Sequence, residues 1–519
     1  MSLHACPPRS PRPSCARWLR RATLALVLAT AGCASTSPRE ALDRTRQDVV
    51  ERTGHTFRDG ADDRVARELD RILARPLDVD DAVRVALLES ADLRAELEEI
   101  AIGRAELVAA GLLQNPVIGF GSTAWETEHI DPNLFGTLEQ NFLDLLTLPM
   151  RKRVAAETFE ATRLRVAARV LEVAAETRHA YYEAQAAMQA SSIADLVDEA
   201  TALSADLARR RFEAGTANEL TLASETGFAA EARVNALRLR GRVRETRETL
   251  TRRMGLWGRR TAWTLIPRLP ELPATAPTDD ATAEARVDFG DDDLEDVAIR
   301  SRLDVDAARR DVEAMDAALR LAKTTRWTGS VSVAVEAGRL RGSKRFSFGP
   351  SVALEIPLFD TRAARVAELE AHARQSRLTL RGLAVDVRSE VREARARVET
   401  ARAVARHLAN VLAPARATLV RASQERYDAM LLGAPQLIQA RRAELETYGD
   451  AVEALGAYWI ARSDLERAVG RRIGTPPKFA RTSGNPSEGT PTSPPDGSSH
   501  SHSHSHAHSH SPDSSRKAP

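Results

Sequence analysis

Hydrophobic residues recur at every second position in two neighbouring segments of the second half of the chain. Apolar residues alternate with small or polar ones across 330–336 and again across 346–356. This period of two predicts a pair of β-strands with one apolar and one polar face. A weaker alternation across 117–125 and 135–145 predicts a second strand pair in the first half, joined by a polar loop at 126–132.

Helical periodicity follows each strand pair. Residues 151–254 and 361–470 carry apolar residues at helical spacing, and each stretch is interrupted near its middle. A helix of about 50 residues is about 75 Å long, so such helices need coiled-coil-like packing. A shorter amphipathic helix is predicted over 79–113, ending before Pro116. Pro414 is predicted to kink or end a helix.

The two halves of the chain repeat this order of elements. In each half a strand pair precedes a proline, Pro149 or Pro357, and a long helical stretch follows. The breaks in the helices have related sequences, Arg-Phe-Glu-Ala-Gly at 211–215 and Arg-Tyr-Asp-Ala-Met at 426–430. Matching points lie roughly 210 residues apart, as expected of a duplicated structural unit. The predicted fold class is mainly α with a small β part, built from a duplicated strand-hairpin and long-helix unit.

The predicted strands allow two interpretations. A soluble β-layer could pack its apolar face on the helices. If the strands instead face lipid, open sheet edges are not tolerated, and four strands cannot close a barrel. Several copies of the chain would then have to pool their strands, so the membrane interpretation requires oligomerisation.

Composition removes some classes of function. The net charge is +1 although 28% of the residues are charged, so no basic excess is available for binding nucleic acid. Aromatic residues make up only 4% of the chain, which favours long helices. The sequence contains no phosphate loop, zinc-protease helix or nucleophile elbow.

The N-terminus has the pattern of an export signal. Arg17, Arg20 and Arg21 precede an apolar run at 22–31 that is too short to span a bilayer. Small residues then precede Cys33, the last cysteine in the chain, as in a bacterial lipoprotein cleavage site. We predict that Cys33 is lipidated; ordinary cleavage after small residues is the alternative.

Composition also divides the chain. The predicted segments are a signal peptide at 1–32, a lipidated polar leader at 33–78, a first repeat at 79–266, a Pro-rich linker at 267–293, a second repeat at 294–474 and a disordered tail at 475–519.

Histidine alternates with serine or alanine near the C-terminus, at His500, His502, His504, His506, His508 and His510. Imidazole binds zinc, copper, nickel and cobalt, but this spacing is not that of a closed structural site. We predict a flexible tail that binds several such ions loosely. A low-complexity end without function is the alternative.

Several motifs in order resemble the TolC family of outer-membrane efflux factors. They are Ala-Gly-Leu-Leu-Gln-Asn-Pro at 110–116, the helix turn at 211–215, the second-half opening at 294–305, and Gly-Pro followed by Ile-Pro-Leu-Phe-Asp within 349–360. The resemblance covers roughly residues 79–472, and it is the ordered set that is specific.

The resemblance implies a homotrimer with a shared 12-stranded β-barrel in the outer membrane and a long α-helical barrel in the periplasm. It implies a passive exit duct that works with a periplasmic adaptor and an RND-type inner-membrane pump, and therefore neither catalysis nor a required cofactor. Together with Cys33, it places the protein in the outer membrane, lipid-anchored and extending into the periplasm. The histidine tail directs the expected cargo toward transition-metal cations.

The resemblance also implies that the helix turns form the periplasmic tip, where the adaptor docks and the aperture opens. The residues carried over to this tip are Arg211, Gly215, Thr216, Leu220, Arg426, Tyr427, Met430, Leu431, Leu432, Gly433, Gln436 and Gln439. Met430 stands where the family has glycine, so the second turn is predicted to be rebuilt. Gln436 and Gln439 stand where well-known members have acids, so no carboxylate ring is predicted.

Two other functions compete with the duct. One is a periplasmic, lipid-anchored, metal-binding coiled-coil protein, and the other is a structural spacer of the cell envelope. Neither needs two apolar-faced hairpins at matching places in a repeat.

Overall fold

The computed structural model describes residues 36–58, 63–123, 133–273, 293–327, 330–339, 346–355, 357 and 359–473. All of these residues belong to one compact unit.

Four strands form one antiparallel sheet in the order β1-β2-β3-β4. They are β1 (Val117–Thr123), β2 (Asn133–Asn141), β3 (Val331–Arg339) and β4 (Phe346–Leu354). Leu138 of β2 lies opposite Val335 of β3, which lies opposite Pro350 of β4. The two hairpins of the repeat therefore join side by side, and β1 and β4 are the edges of the sheet.

Helices account for most of the remaining described residues. They are α1 (Arg39–Thr53), α2 (Asp63–Leu73), α3 (Val79–Glu89), α4 (Ala91–Ala110), α5 (Leu143–Glu213), α6 (Glu219–Arg253), α7 (Leu294–Ser301), α8 (Leu303–Thr324), α9 (Ala363–His407), α10 (Ala413–Asp428) and α11 (Ala434–Val469). A 3-10 turn lies at Gly258–Thr261 and a π-helical turn at Leu408–Leu412.

The long helices carry the chain far from the sheet. Helix α5 has 71 residues, which corresponds to about 106 Å, and α6 returns along it. In the second repeat α9, the π-turn and α10 run outward, and α11 returns in contact with α9 and α5. The π-turn immediately precedes Pro414, so the predicted disturbance at this proline is confirmed.

The boundary between strand and helix in the first half was predicted wrongly. Strand β2 ends at Asn141 rather than at residue 145, and α5 begins at Leu143 rather than at residue 151. Pro149 lies inside α5. It removes one helical hydrogen bond near the start of a very long helix, and the remaining bonds and packing of that helix outweigh the loss.

The predicted leader at 33–78 contributes residues to a hydrophobic core. Leu42, Val49 and Phe57 are buried in a core with residues of α3, α4 and the first part of α5. No packing boundary therefore coincides with residue 79. The apolar residues of the leader are sparse in a polar sequence, but they recur on one side of α1.

The first part of the predicted linker also packs against the helices. The side-chain amide of Gln185 donates hydrogen bonds to the carbonyls of Ile266 and Arg268, both at 2.8 Å. The indole Nε1 of Trp459 donates to the carbonyl of Pro270 at 2.8 Å. Residues up to 273 thus follow the surface of α5 and α11, and residues 274–292 lie outside the described part of the chain.

Candidate functional site

One face of the sheet is mainly apolar across all four strands, with Gln140 and Arg339 as polar exceptions. Directly opposed residues in an antiparallel sheet share a face, so the register assigns each side chain to a side. The apolar face carries Ile118, Phe120, Leu138, Val331, Val333, Val335, Phe346, Phe348, Val352 and Leu354. These side chains are not covered by helices: Phe120, for example, is 87% exposed. An uncovered apolar surface of this extent marks an interaction with lipid or with another protein.

The opposite face is mainly small and polar. It carries Gly119, Gly121, Thr137, Glu139, Ser332, Ala334, Glu336, Ser347, Gly349, Ser351 and Ala353. Val117 and Phe135 are the apolar exceptions, and the Phe135 ring occupies the space that a side chain at Gly121 would need. The contrast between the two faces fits a sheet with lipid on one side and water on the other.

The helical end of the sheet carries exposed aromatic residues that the sequence analysis did not single out. Phe142, Trp327 and Phe359 are exposed there, and the guanidinium of Arg326 lies 4.8 Å from the centre of the Trp327 ring. Aromatic and basic side chains are enriched where membrane proteins meet the polar region of the bilayer. The order of elements, with strand, aromatic residue and then helix, was the signal that could have revealed them.

The helix turn of the first repeat is a Schellman motif. The Thr216 N–H donates to the carbonyl of Arg211 at 2.8 Å, and the Gly215 N–H donates to that of Phe212 at 2.9 Å. Gly215 has a φ of +70°, which glycine adopts without a steric penalty. Asn218 then caps α6 by accepting a hydrogen bond from the Thr221 N–H.

The second turn has the same backbone, so the prediction that it is rebuilt was wrong. The Leu431 N–H donates to the carbonyl of Arg426 at 2.8 Å, and the Met430 N–H donates to that of Tyr427 at 2.9 Å. Met430 takes a φ of +60° despite its side chain. A left-handed non-glycine residue costs about 1–2 kcal/mol, which the two turn bonds and the flanking helices outweigh.

The predicted tip residues gather at these two turns. Arg211, Gly215, Thr216, Leu220, Arg426, Tyr427, Met430, Leu431, Gly433, Gln436 and Gln439 are exposed, and Leu432 is half-buried. The apolar side chains of Leu220, Met430 and Leu431 project into solvent. Their docking and aperture roles stay predictions.

Replacing Met430 with glycine should stabilise the second turn. Relief of the left-handed strain outweighs the greater chain entropy of glycine, so we expect a gain of about 0.5–1 kcal/mol in the local opening free energy. Amide hydrogen exchange at Leu431 measures it. Gly215→Met is the reciprocal control and should cost a similar amount at Thr216. Faster exchange at Leu431 in Met430→Gly would contradict the strain argument.

Exposed leucines and valines also form seams along the helices. Leu196, Leu203 and Leu207 on α5 follow spacings of seven and four, and Leu378 and Val385 on α9 lie seven apart. These are the spacings of coiled-coil contact positions. A heptad search of the long helices would have found them.

Some predicted residues cannot be placed. Cys33 and the six histidines of the tail lie outside the described residues. Within the described ranges, no three His, Cys, Asp or Glu side chains cluster in a way that could hold a metal ion. Nor does any described helix combine the length and the apolar character needed to cross a bilayer.

Comparison with known proteins bears on the fold. No family model matches the chain, and no curated protein matches it. Solved outer-membrane channels superpose over most of their length. CmeC of Campylobacter jejuni is 13% identical, with 81% of this chain and 90% of CmeC covered and a TM-score of 0.62. CusC is 16% identical, with 76% of this chain and 92% of CusC covered and a TM-score of 0.61.

The MtrE outer-membrane channel of Neisseria gonorrhoeae, solved in its open state, is 18% identical over 77% of this chain and 90% of MtrE, with a TM-score of 0.59. The chain has the TolC fold. The resemblance drawn from the ordered motifs is thereby confirmed at the level of fold, as is the fold class of long helices with a small sheet. In this TolC-type fold, the apolar sheet face and the two helix turns lie at opposite ends of α5.

Proposed function

We propose that this chain is the outer-membrane channel component of a tripartite efflux system. It acts as a passive exit duct and catalyses no reaction. Three copies close their strands into one 12-stranded barrel, and their helices continue as a periplasmic tunnel. An adaptor docks at the tip formed by the two turns, and an RND-type pump in the inner membrane supplies the energy.

The single observation that carries this proposal is the sheet. It has an exposed apolar face, a polar face and two unpaired edges, β1 and β4, in one chain. A soluble protein gains nothing from leaving such a face uncovered. Pairing β1 of one copy with β4 of the next removes both edges and gives the apolar face to lipid.

The helical seams and the aromatic residues support the same assembly. The seams on α5 and α9 are exposed in one chain and would be buried against neighbouring copies. The aromatic residues at the end of the sheet lie where a barrel would leave the bilayer. The competing coiled-coil metal-binding protein explains neither the sheet nor these residues.

Mass in detergent and conductance across planar bilayers test the proposal together. The purified protein should have the mass of three chains and should form pores. A monomer or dimer without conductance would refute the duct. Attachment through acylated Cys33 is part of the proposal, and the mass of the mature N-terminal peptide tests it.

We further propose transition-metal cations as the cargo, on the basis of the six alternating histidines. Deleting the chain from Ser499 onward should lower cellular tolerance of zinc, copper, nickel or cobalt. A variant with the six histidines replaced by serine keeps the length of the tail and should behave like the deletion. Unchanged tolerance of all four metals in both variants would refute a role for the tail.

A further inference from the structure

A cavity of about 400 Å³ lies far from both the sheet and the turns. It forms where the end of α1, the first turns of α4, the middle of α5, the junction of α7 and α8, and the end of α11 meet. The arginines that line it are Arg52, Arg165, Arg169, Arg178, Arg302, Arg467, Arg471 and Arg472, and the carboxylates are Glu96, Glu172, Asp304 and Glu466. The lining therefore has a clear excess of positive charge.

Most of these charges already have partners. Arg302 pairs with Asp304 and Glu390, both at 2.6 Å, and Arg169 pairs with Glu172 at 2.6 Å. The partners of two other arginines lie outside the cavity, because Arg165 pairs with Asp311 and Arg472 with Asp80. Two of the four lining carboxylates are thus occupied by lining arginines.

Arg472 is fixed by a network behind the cavity. Its guanidinium donates to Asp80 at 2.7 Å, and Asp80 also lies 3.1 Å from the His55 ring. Burial alone would raise the pKa of Asp80, but the His55 hydrogen bond and the Arg472 charge outweigh it and lower the pKa to about 2. Asp80 therefore stays ionised and holds Arg472 in place.

Arg178 is the one buried arginine in the described lining of the cavity. It is 9% exposed, and its buried Nη2 has no hydrogen-bond partner among the described residues. The nearest carboxylate oxygen, on Glu466, is 3.8 Å from its Nη1, which is too far for a hydrogen bond. Burial lowers the pKa of Arg178, Glu466 offsets part of this effect, and Arg472 adds repulsion. A buried guanidinium nitrogen without a hydrogen bond is costly, so an acceptor that reaches Nη2 of Arg178 would be stabilising.

We propose that this cavity binds a small polyanion through its phosphate or carboxylate oxygens, with Arg178 as the central ligand and Arg467 at the rim. The planar fork of arginine suits both kinds of oxyanion. The Arg467 side chain is exposed and forms no hydrogen bond or ion pair with the described residues, so its guanidinium is available. The volume of the cavity fits a molecule larger than a single inorganic ion.

Calorimetric titration of the purified full chain in detergent tests the site. Pyrophosphate and citrate are the probes, each compared with sodium chloride at equal ionic strength, because screening alone affects an arginine-rich surface. Saturable binding of either probe supports the proposal, and the probe that binds more tightly identifies the oxygen chemistry. Heat no greater than that of sodium chloride for both probes would overturn it.

Two variants locate the binding. Arg178→Gln removes a charge-assisted hydrogen bond and should weaken binding roughly ten- to hundredfold. Arg467→Gln changes an exposed side chain, so it should fold normally and should weaken binding several-fold. Arg238→Gln is the control, because the Arg238 side chain is exposed on α6 and forms no hydrogen bond or ion pair with the described residues.

Unaltered affinity in both Arg178→Gln and Arg467→Gln would overturn the proposal. If Arg178→Gln fails to fold, Arg467→Gln still decides it. The outcome is independent of the proposed duct, because neither oligomer mass nor conductance enters this measurement.

Discussion

Val352→Arg should abolish stable insertion of the protein into the outer membrane. Val352 lies on the apolar face of β4 and is 69% exposed in the single chain. An arginine facing lipid costs up to about 2–4 kcal/mol, the value at the midplane of the bilayer. In a three-chain barrel that cost occurs three times, and it is comparable to the whole stability of an ordinary domain. Membrane fractionation and mass in detergent measure the loss.

Ser351→Arg is the matched control for this prediction. Ser351 is the neighbouring residue on the same strand, but its side chain lies on the polar face. The same new charge there should leave insertion unchanged. If the sheet were a water-soluble layer, arginine at either position would be harmless, because Val352 is already exposed. Equal behaviour of the two variants would therefore refute the lipid-facing assignment.

Trp459→Ala should destabilise the helical body by about 3–5 kcal/mol. Trp459 is 2% exposed on α11 and stacks on Tyr182 of α5 at 5.7 Å between ring centres. Its hydrogen bond to Pro270 also holds the start of the inter-repeat segment. The two helices approach closely here, since a side chain at Gly456 would meet Ala186. Chemical denaturation followed by circular dichroism measures the change.

Two further variants separate the contributions of Trp459. Trp459→Phe keeps a buried ring and loses the hydrogen bond, so it should cost about 1–2 kcal/mol, most of it from the unpaired carbonyl. Trp257 is 80% exposed, so Trp257→Ala should change the unfolding free energy by less than about 0.5 kcal/mol. A loss at Trp257→Ala equal to that at Trp459→Ala would show that the effect is not one of burial.

The strands of the second half could be predicted from the sequence because their alternation is uninterrupted. Observed β3 and β4 begin within one residue of the predicted segments. In the first half, the apolar residues around Leu145 continue past the end of β2 and fit a strand as well as a helix. Pro149 then suggested a boundary that the structure does not have. Periodicity could not place the boundary, because these apolar residues fit both periods. The proline was misleading, because the hydrogen bonds and packing of a 71-residue helix outweigh the one hydrogen bond that Pro149 removes.

The turn at Met430 and the arginine cavity show two other limits of prediction from the sequence. The identity of one residue suggested a changed turn, but a strain of about 1–2 kcal/mol is small beside the packing of two long helices. The arginines of the cavity come from α1, α5, the α7–α8 junction, α11 and the residues just after α11, so no contiguous motif marks them. Arg178 looks in sequence like any helical arginine, and only burial distinguishes it.

The twin turns have a consequence for any protein that binds the end of the helices. The duplication has kept one backbone shape while the side chains diverged: position 215 presents bare backbone, and Met430 is 93% exposed. In a ring of identical copies the first and second turns alternate around the ring. Neighbouring turns then have the same backbone shape but different side chains. A binding protein that forms a ring of six equivalent subunits would have to contact both kinds of turn with the same surface. A ring of three pairs of unlike subunits could contact each kind of turn with a different surface.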